Sequence, residues 1–150
     1  MQTDTWITLA EADVLAYVNN AELTTVLTAS LANGQAAPLS VILPDVTMEV
    51  RGYCRVRNTL GPAGTIPQEL KTAAIDIVLY RVFKRIRKTA AAKEAKPDYD
   101  DAMKKMERVA SGELKISVPL TPTTDVTSAP GPSFECPPRH GFGYEEERGI

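Results

Sequence analysis

The sequence is poor in the residues from which most catalytic and metal sites are built. It contains one histidine, His140, and two cysteines, Cys54 and Cys136, which form no C-x-x-C pair. Catalysis that uses a histidine base requires a rigidly held imidazole, whereas His140 lies in a stretch rich in proline and glycine. The usual zinc site needs four ligands, which these residues do not supply. The sequence therefore predicts a protein that is not an enzyme and has no metal or other cofactor.

The sequence also lacks a long apolar run and a marked charge of either sign. No segment approaches the roughly 18 consecutive apolar residues of a membrane-spanning helix, and the first four residues do not resemble a signal peptide. A formal net charge of -2 gives no overall attraction to nucleic acid or to acidic membranes. We therefore expect a soluble protein with no membrane partner, in which any contact with nucleic acid depends on a local basic patch.

Most of the sequence up to Gly112 has apolar residues at intervals of three and four, as in amphipathic helices. Thr8-Leu9-Ala10-Glu11 has the capping-box pattern, which predicts that a first helix begins at Thr8. A short helix, a long helix, a central apolar helix and a last helix are predicted to follow, and Pro44 indicates that the long helix either kinks near residues 40–44 or begins its regular part there. Their expected ranges are Leu23–Leu31, Pro38–Arg57, Pro67–Ile86 and Pro97–Gly112.

The end of the chain differs in composition from the rest. Leu114, Ile116 and Val118 alternate with polar residues, which predicts at most one short strand. Six of the 11 prolines lie between residue 119 and the C-terminus, where Pro, Thr, Ser and Gly predominate. The sequence thus predicts an all-α fold, a small bundle of four to five helices over residues 1–118, followed by an extended proline-rich arm over residues 119–150.

The arm carries three large side chains, Phe134, Phe142 and Tyr144, which a simple linker does not need. A segment that cannot bury enough apolar surface to fold alone, yet contains such side chains, is typically ordered by a partner. We therefore predict that these three residues anchor the arm on a neighbouring protein.

Positive charge is concentrated at the end of the predicted central helix, in Arg81, Lys84, Arg85, Arg87 and Lys88. Cations there complement the helix dipole, so a solvated helix end is one interpretation. The other two are ion pairs with a neighbouring subunit and a weak contact with nucleic acid that is independent of sequence. These five residues are therefore candidates for an inter-subunit contact or for the lining of a DNA channel.

Several short motifs follow one another in an informative order. They are Trp6-Ile7-Thr8-Leu9-Ala10-Glu11, Val50-Arg51-Gly52-Tyr53, Ile66-Pro67 with Leu70, Ala74, Ile77 and Tyr80-Arg81, and finally Tyr99, Ala102, Met106 and Ser111-Gly112 with Leu114. Over roughly residues 6–118 this order resembles the head-to-tail connector, or neck adaptor, proteins of tailed bacteriophages. The likeness is greatest to the group similar to the Mu-like gp36 family.

The resemblance implies a structural protein of the phage neck with no turnover chemistry. Such a protein is made in the cytoplasm of the host bacterium and joins the virion as a ring, commonly a dodecamer. The ring connects the portal protein to the stopper or tail-terminator protein, and double-stranded DNA passes through its lumen without sequence-specific contacts. The alternative is a small helical nucleic-acid-binding or regulatory protein that uses the basic run 81–88 and binds free DNA as a monomer or dimer.

Overall fold

The structure is a computed structural model of the 150-residue chain that describes residues 5–18, 20–29, 34, 37–85 and 90–120. Within these residues the chain is mostly helical, with five α-helices and one two-stranded antiparallel sheet, so the predicted small helical bundle is confirmed. In chain order the elements are β1 (Trp6–Thr8), α1 (Glu11–Tyr17), α2 (Asn20–Ala29), α3 (Pro38–Arg55), β2 (Thr65–Pro67), a short 3-10 helix (Gln68–Leu70), α4 (Lys71–Arg85) and α5 (Ala90–Ser111).

The central helix is α4, as its nearly continuous apolar sequence predicts. It packs against α1, α2, α3 and α5. Eight of its 15 residues are buried, namely Ala73, Ala74, Ile75, Ile77, Val78, Leu79, Val82 and Phe83. Such burial on several sides is expected for a helix that the other helices surround.

The predicted start of the first helix at Thr8 is wrong, because Thr8 belongs to β1 and pairs with Thr65 of β2. The helix begins three residues later, at Glu11. There the Asp13 carboxylate accepts a hydrogen bond of 3.0 Å from the backbone N–H of Ala10. Asp13 therefore supplies the carboxylate half of the capping interaction that the sequence assigned to Glu11.

The predicted start of the last helix at Pro97 is also wrong. Helix α5 begins at Ala90 and includes Pro97 in its interior. A proline deprives the carbonyl four residues earlier of its usual partner, but Lys93 and Pro97 are both exposed, so water can replace that hydrogen bond. The alanines from Ala90 onward favour helix strongly, which explains the additional turns.

Residues 114–118, where the alternating pattern predicts at most one short strand, form no strand. The only sheet in the described part of the chain joins β1 to β2, with Ile7 opposite Ile66. The segment after α5 is instead held by side chains. Trp6 Nε1 donates a hydrogen bond of 3.0 Å to the carbonyl of Ser117, and Ser117 donates from its N–H (3.2 Å) and from its hydroxyl to the Glu69 carboxylate. Ile116 is buried beside these contacts.

The proposed boundary between the helical domain and the arm, near residue 119, stays a prediction. Pro119 is buried and Leu120 is half exposed, and these are the last residues that the structure describes. The predicted anchors Phe134, Phe142 and Tyr144 lie outside the described residues.

Candidate protein-interaction site

Arg51 holds the loop between α3 and β2 in place. Its guanidinium donates hydrogen bonds to the carbonyls of Pro62 (2.8 Å), Thr65 (2.7 Å) and Gly61 (3.1 Å), and it lies 5.9 Å from the centroid of the Trp6 ring. A side chain at Gly61 would not fit, because a Cβ there would lie 2.6 Å from a carbon of the Trp6 indole. These contacts fix residues 61–65 as a wall beside α3.

An open groove of about 340 Å³ lies between this wall, the end of β1 and helix α3. It is called the α3 groove here and is lined by Thr8, Leu9, Leu43, Pro44, Thr47, Met48, Arg51, Ala63 and Gly64. Most of the lining is apolar. Leu9 is buried at its base, whereas the Met48 side chain is 73% exposed. Methionine adapts its shape to a bound surface, so an exposed methionine beside an apolar groove is typical of a protein-binding site.

The outward side of α3 adds exposed apolar surface next to the groove. Val41 is 51% exposed, and Met48 follows it after seven residues, which is close to two helical turns. Arg55 follows after another seven residues and therefore lies on the same side of the helix as Val41 and Met48. Arg55 is exposed, and within the described ranges no ion pair or hydrogen bond engages its guanidinium. This side of α3 thus presents two large apolar side chains followed by a cation.

The described chain ends near the groove. Trp6, which binds Ser117, begins β1, and Thr8, which lines the groove, ends it. Beyond Ser117, the Val118 side chain is 78% exposed and that of Leu120 is 50% exposed. Ser117, from which the arm continues, is therefore held by a strand residue that lies two positions, or ~7 Å along β1, from Thr8 of the groove.

The structure separates the members of the predicted basic run. Arg81 forms an ion pair with Glu49 of α3. Lys84 Nζ lies 5.8 Å from the centroid of the Tyr80 ring, and that ring stacks on Tyr99 at 4.4 Å. Arg85 is exposed. Arg87 and Lys88 lie outside the described residues, so the run as an inter-subunit or DNA-facing patch stays a prediction.

The pKa of Cys54 and that of Asp76 are raised because burial removes both groups from water. Burial raises the pKa of the Cys54 thiol to about 11, so the thiol is protonated and unreactive near neutral pH. Burial, and secondarily the nearby Asp98, raise the pKa of Asp76 on α4.

Asp13 has a lowered pKa, first because Lys71 Nζ donates a hydrogen bond of 2.6 Å to its carboxylate and second because the Ala10 N–H donates another. Over the described ranges, no three His, Cys, Asp or Glu side chains are grouped so as to hold a metal ion. None of the described helices is long and apolar enough to span a membrane.

The groove could not be predicted from the sequence, because β1, α3 and the loop before β2 each contribute only part of it. One signal was present. Val41 and Met48 interrupt the otherwise polar side of α3. A helix whose only packing partners are the other helices of the bundle does not need apolar residues on its outward side. The role of Arg51 could not be predicted from the sequence, because only the folded structure shows which backbone carbonyls its guanidinium binds.

Comparison with known proteins gives one match. A family model described as Bacteriophage Mu, Gp36 matches residues 8–133, which includes every helix described above. No curated protein and no solved structure matches the chain.

Proposed function

Because the chain belongs to the Bacteriophage Mu, Gp36 family, we propose that it is a structural protein of the phage neck. In this role it forms an adaptor ring that connects the portal protein to the stopper or tail-terminator protein and surrounds the DNA channel. The protein is made in the cytoplasm of the host bacterium and performs no turnover chemistry. The observation that carries the proposal is the fixed point at which the C-terminal segment leaves the helical domain.

That fixed point depends on a small set of long-range contacts. Trp6 is 4% exposed and joins β1 to Ser117, while Glu69 binds the same serine from the segment before α4. Every copy of the chain consequently starts its arm from the same place. A symmetric ring requires each subunit to present the same binding element in the same way, and this arrangement meets that requirement.

The exposed apolar side chains support a role in assembly. Val41, Met48, Val56 and Val118 are each more than half exposed. Soluble monomers rarely expose large apolar patches, and a large exposed apolar patch commonly marks a surface that binds another protein. The α3 groove and the arm are two different surfaces. A subunit that lies between two neighbours in a ring needs one surface for each neighbour.

The basic end of α4 has a separate role in this proposal. Lys84 and Arg85 are proposed to face the lumen, where a ring repeats a small positive patch around the passing DNA. Contacts of this kind depend steeply on salt and not on sequence. The nucleic-acid-binding alternative needs the whole run to be free for DNA, and the ion pair between Arg81 and Glu49 removes one of its charges. The adaptor role is therefore the one that we prefer.

The proposal is tested by removing residues 119–150 and measuring attachment to purified portal rings by sizing. We expect attachment to be abolished while the circular dichroism signal of the helices is retained. A matched control keeps the length of the arm but replaces residues 121–150 by a Gly/Ser linker, and it should also fail to attach, because attachment depends on the side chains. Attachment of the truncated chain at full-length affinity would contradict the proposal.

A further inference from the structure

We infer that the α3 groove of one copy binds the end of the arm, residues 142–147, from a second copy. This inference rests on the proposed function, because it identifies the contact that links adjacent adaptor subunits. The groove lies in the described part of the chain, and its occupant is identified by the sequence Phe142-Gly143-Tyr144-Glu145-Glu146-Glu147.

The first argument is the match between apolar surfaces. The groove has an apolar lining that includes Leu9, Leu43 and Met48, and its volume of about 340 Å³ accommodates aromatic side chains. Phe142 and Tyr144 are two residues apart, so in an extended segment both side chains project to the same side. Glycine between them allows the backbone to approach the surface closely.

The second argument is the match between charges and their spacing. Three glutamates follow Tyr144 directly and span ~10 Å when extended. Arg55 lies seven residues after Met48 on the same side of α3, also ~10 Å away along the helix axis. When Tyr144 lies at Met48, the glutamates therefore reach Arg55. Asp45 is exposed on the N-terminal side of Met48, so it disfavours the opposite direction of binding.

The third argument is the length of the arm. The 22 residues from Leu120 to Phe142 can span up to ~70 Å, which exceeds the ~35 Å diameter of a domain of this size. The segment can thus reach the next subunit. In a closed ring each copy offers one arm and one groove, so a head-to-tail contact of this type is made by every subunit.

The test uses full-length chains that are each defective on one side of the contact. The groove variant is Met48→Glu, which changes an exposed side chain and should leave the fold intact. The arm variant is the double substitution F142A/Y144A. Association is measured without portal by analytical ultracentrifugation at about 100 μM, a concentration above the Kd expected for weak protein contacts.

The wild-type chain is expected to self-associate, and each variant alone is expected to associate at least about tenfold more weakly. A mixture of the two variants should form a heterodimer, because the arm of one binds the intact groove of the other. Tyr17→Glu is the matched control, since Tyr17 is 54% exposed on α1 and does not line the groove. It should associate like wild type.

A charge exchange provides an independent readout. Arg55→Glu should weaken self-association, and replacement of Glu145, Glu146 and Glu147 by lysine in the same chain should restore it. This rescue is not expected if Arg55 has a merely structural role.

Three results would overturn the inference: a monomeric wild-type chain, variants that self-associate like wild type, or a mixture in which both variants stay monomeric. The last result would indicate that the arm and the groove are not the two halves of one contact between copies. None of these results bears on whether the chain attaches to a portal ring, so the two proposals fail separately.

Discussion

Replacement of Arg51 by methionine tests the principal internal contact of the candidate site. The guanidinium donates three hydrogen bonds to the carbonyls of Gly61, Pro62 and Thr65, at 3.1, 2.8 and 2.7 Å. Methionine retains much of the apolar stem but none of the donors. The loop before β2 then loses its attachment to α3, and the wall of the α3 groove is no longer held.

The expected cost follows from those bonds. A hydrogen bond to a charged group contributes ~1.5–3 kcal/mol, so three bonds set an upper limit of ~9 kcal/mol. The real cost is smaller, because Arg51 is only partly buried and the Pro62 carbonyl keeps hydrogen bonds from the N–H (3.2 Å) and hydroxyl (2.7 Å) of Thr65. We expect the free energy of unfolding to fall by about 2–4 kcal/mol.

Urea denaturation followed by circular dichroism measures this loss. Arg55→Met is the matched control, because Arg55 is an exposed arginine on the same helix, and its replacement should change the free energy of unfolding by less than about 0.5 kcal/mol. Arg51→Lys should lower the free energy of unfolding by an intermediate amount, because the lysine ammonium cannot reach all three carbonyls as the guanidinium does. If Arg51→Met were as stable as the control, the reasoning about the loop would be wrong.

Four further predictions concern other parts of the chain. Gly61→Ala should lower the free energy of unfolding by about 1–3 kcal/mol and alter Trp6 fluorescence, whereas Gly52→Ala, where an added Cβ meets nothing within 4 Å, should raise it by up to about 1 kcal/mol; equal effects would contradict the contact with Trp6. Asp76→Asn should stabilise the protein at pH 7 and lose this gain at pH below 3.8, because a raised pKa in the folded state means that stability decreases as pH rises from 3.8 through that pKa. Asp13→Asn should destabilise the protein at pH 7 by about 0.5–1 kcal/mol, because the pKa of Asp13 is lowered in the folded state. The stability that Asp13 contributes is present above pH 3.8 and is lost as pH falls through the folded-state pKa. Denaturation of the Asp76 and Asp13 variants at pH 7 and below pH 3.8 checks the sign of each effect. Reversing the charges of Arg85 and Arg87 should reduce DNA retention in assembled necks, and a change in subunit assembly alone would assign these residues to an interface instead.

The elements determined by local sequence were predictable. The central helix follows from the apolar run of α4, and the end of α5 follows from Gly112, whose φ of 84° is a conformation that favours glycine. Helix α3 begins at Pro38 and includes Pro44 in its interior, where Pro44 lies on an exposed side of the helix. The sequence predicts a helix start at Pro97, whereas α5 includes Pro97 in its interior. The sequence alone does not show that the Lys93 carbonyl, which Pro97 leaves without a partner, lies where water can bind it.

The features that position the candidate site depend on long-range contacts, which a single sequence does not reveal. The bond from Trp6 to Ser117 joins residues 111 positions apart. It draws residues 114–118 against the domain, where their alternating pattern had predicted a strand. The three carbonyls bound by Arg51 carry no side-chain signal at all. The aromatic anchors of the arm, in contrast, are predicted from composition alone, and they stay a prediction.

The neck-adaptor role is tested most directly by the mass of the complex that the full-length chain forms with a purified portal ring. Native mass spectrometry of this complex should give the mass of the portal plus one ring of adaptor copies, and double-stranded DNA supplied in place of the portal should form no complex with the chain. A chain that ignores the portal and binds free DNA as a monomer or dimer would contradict the account.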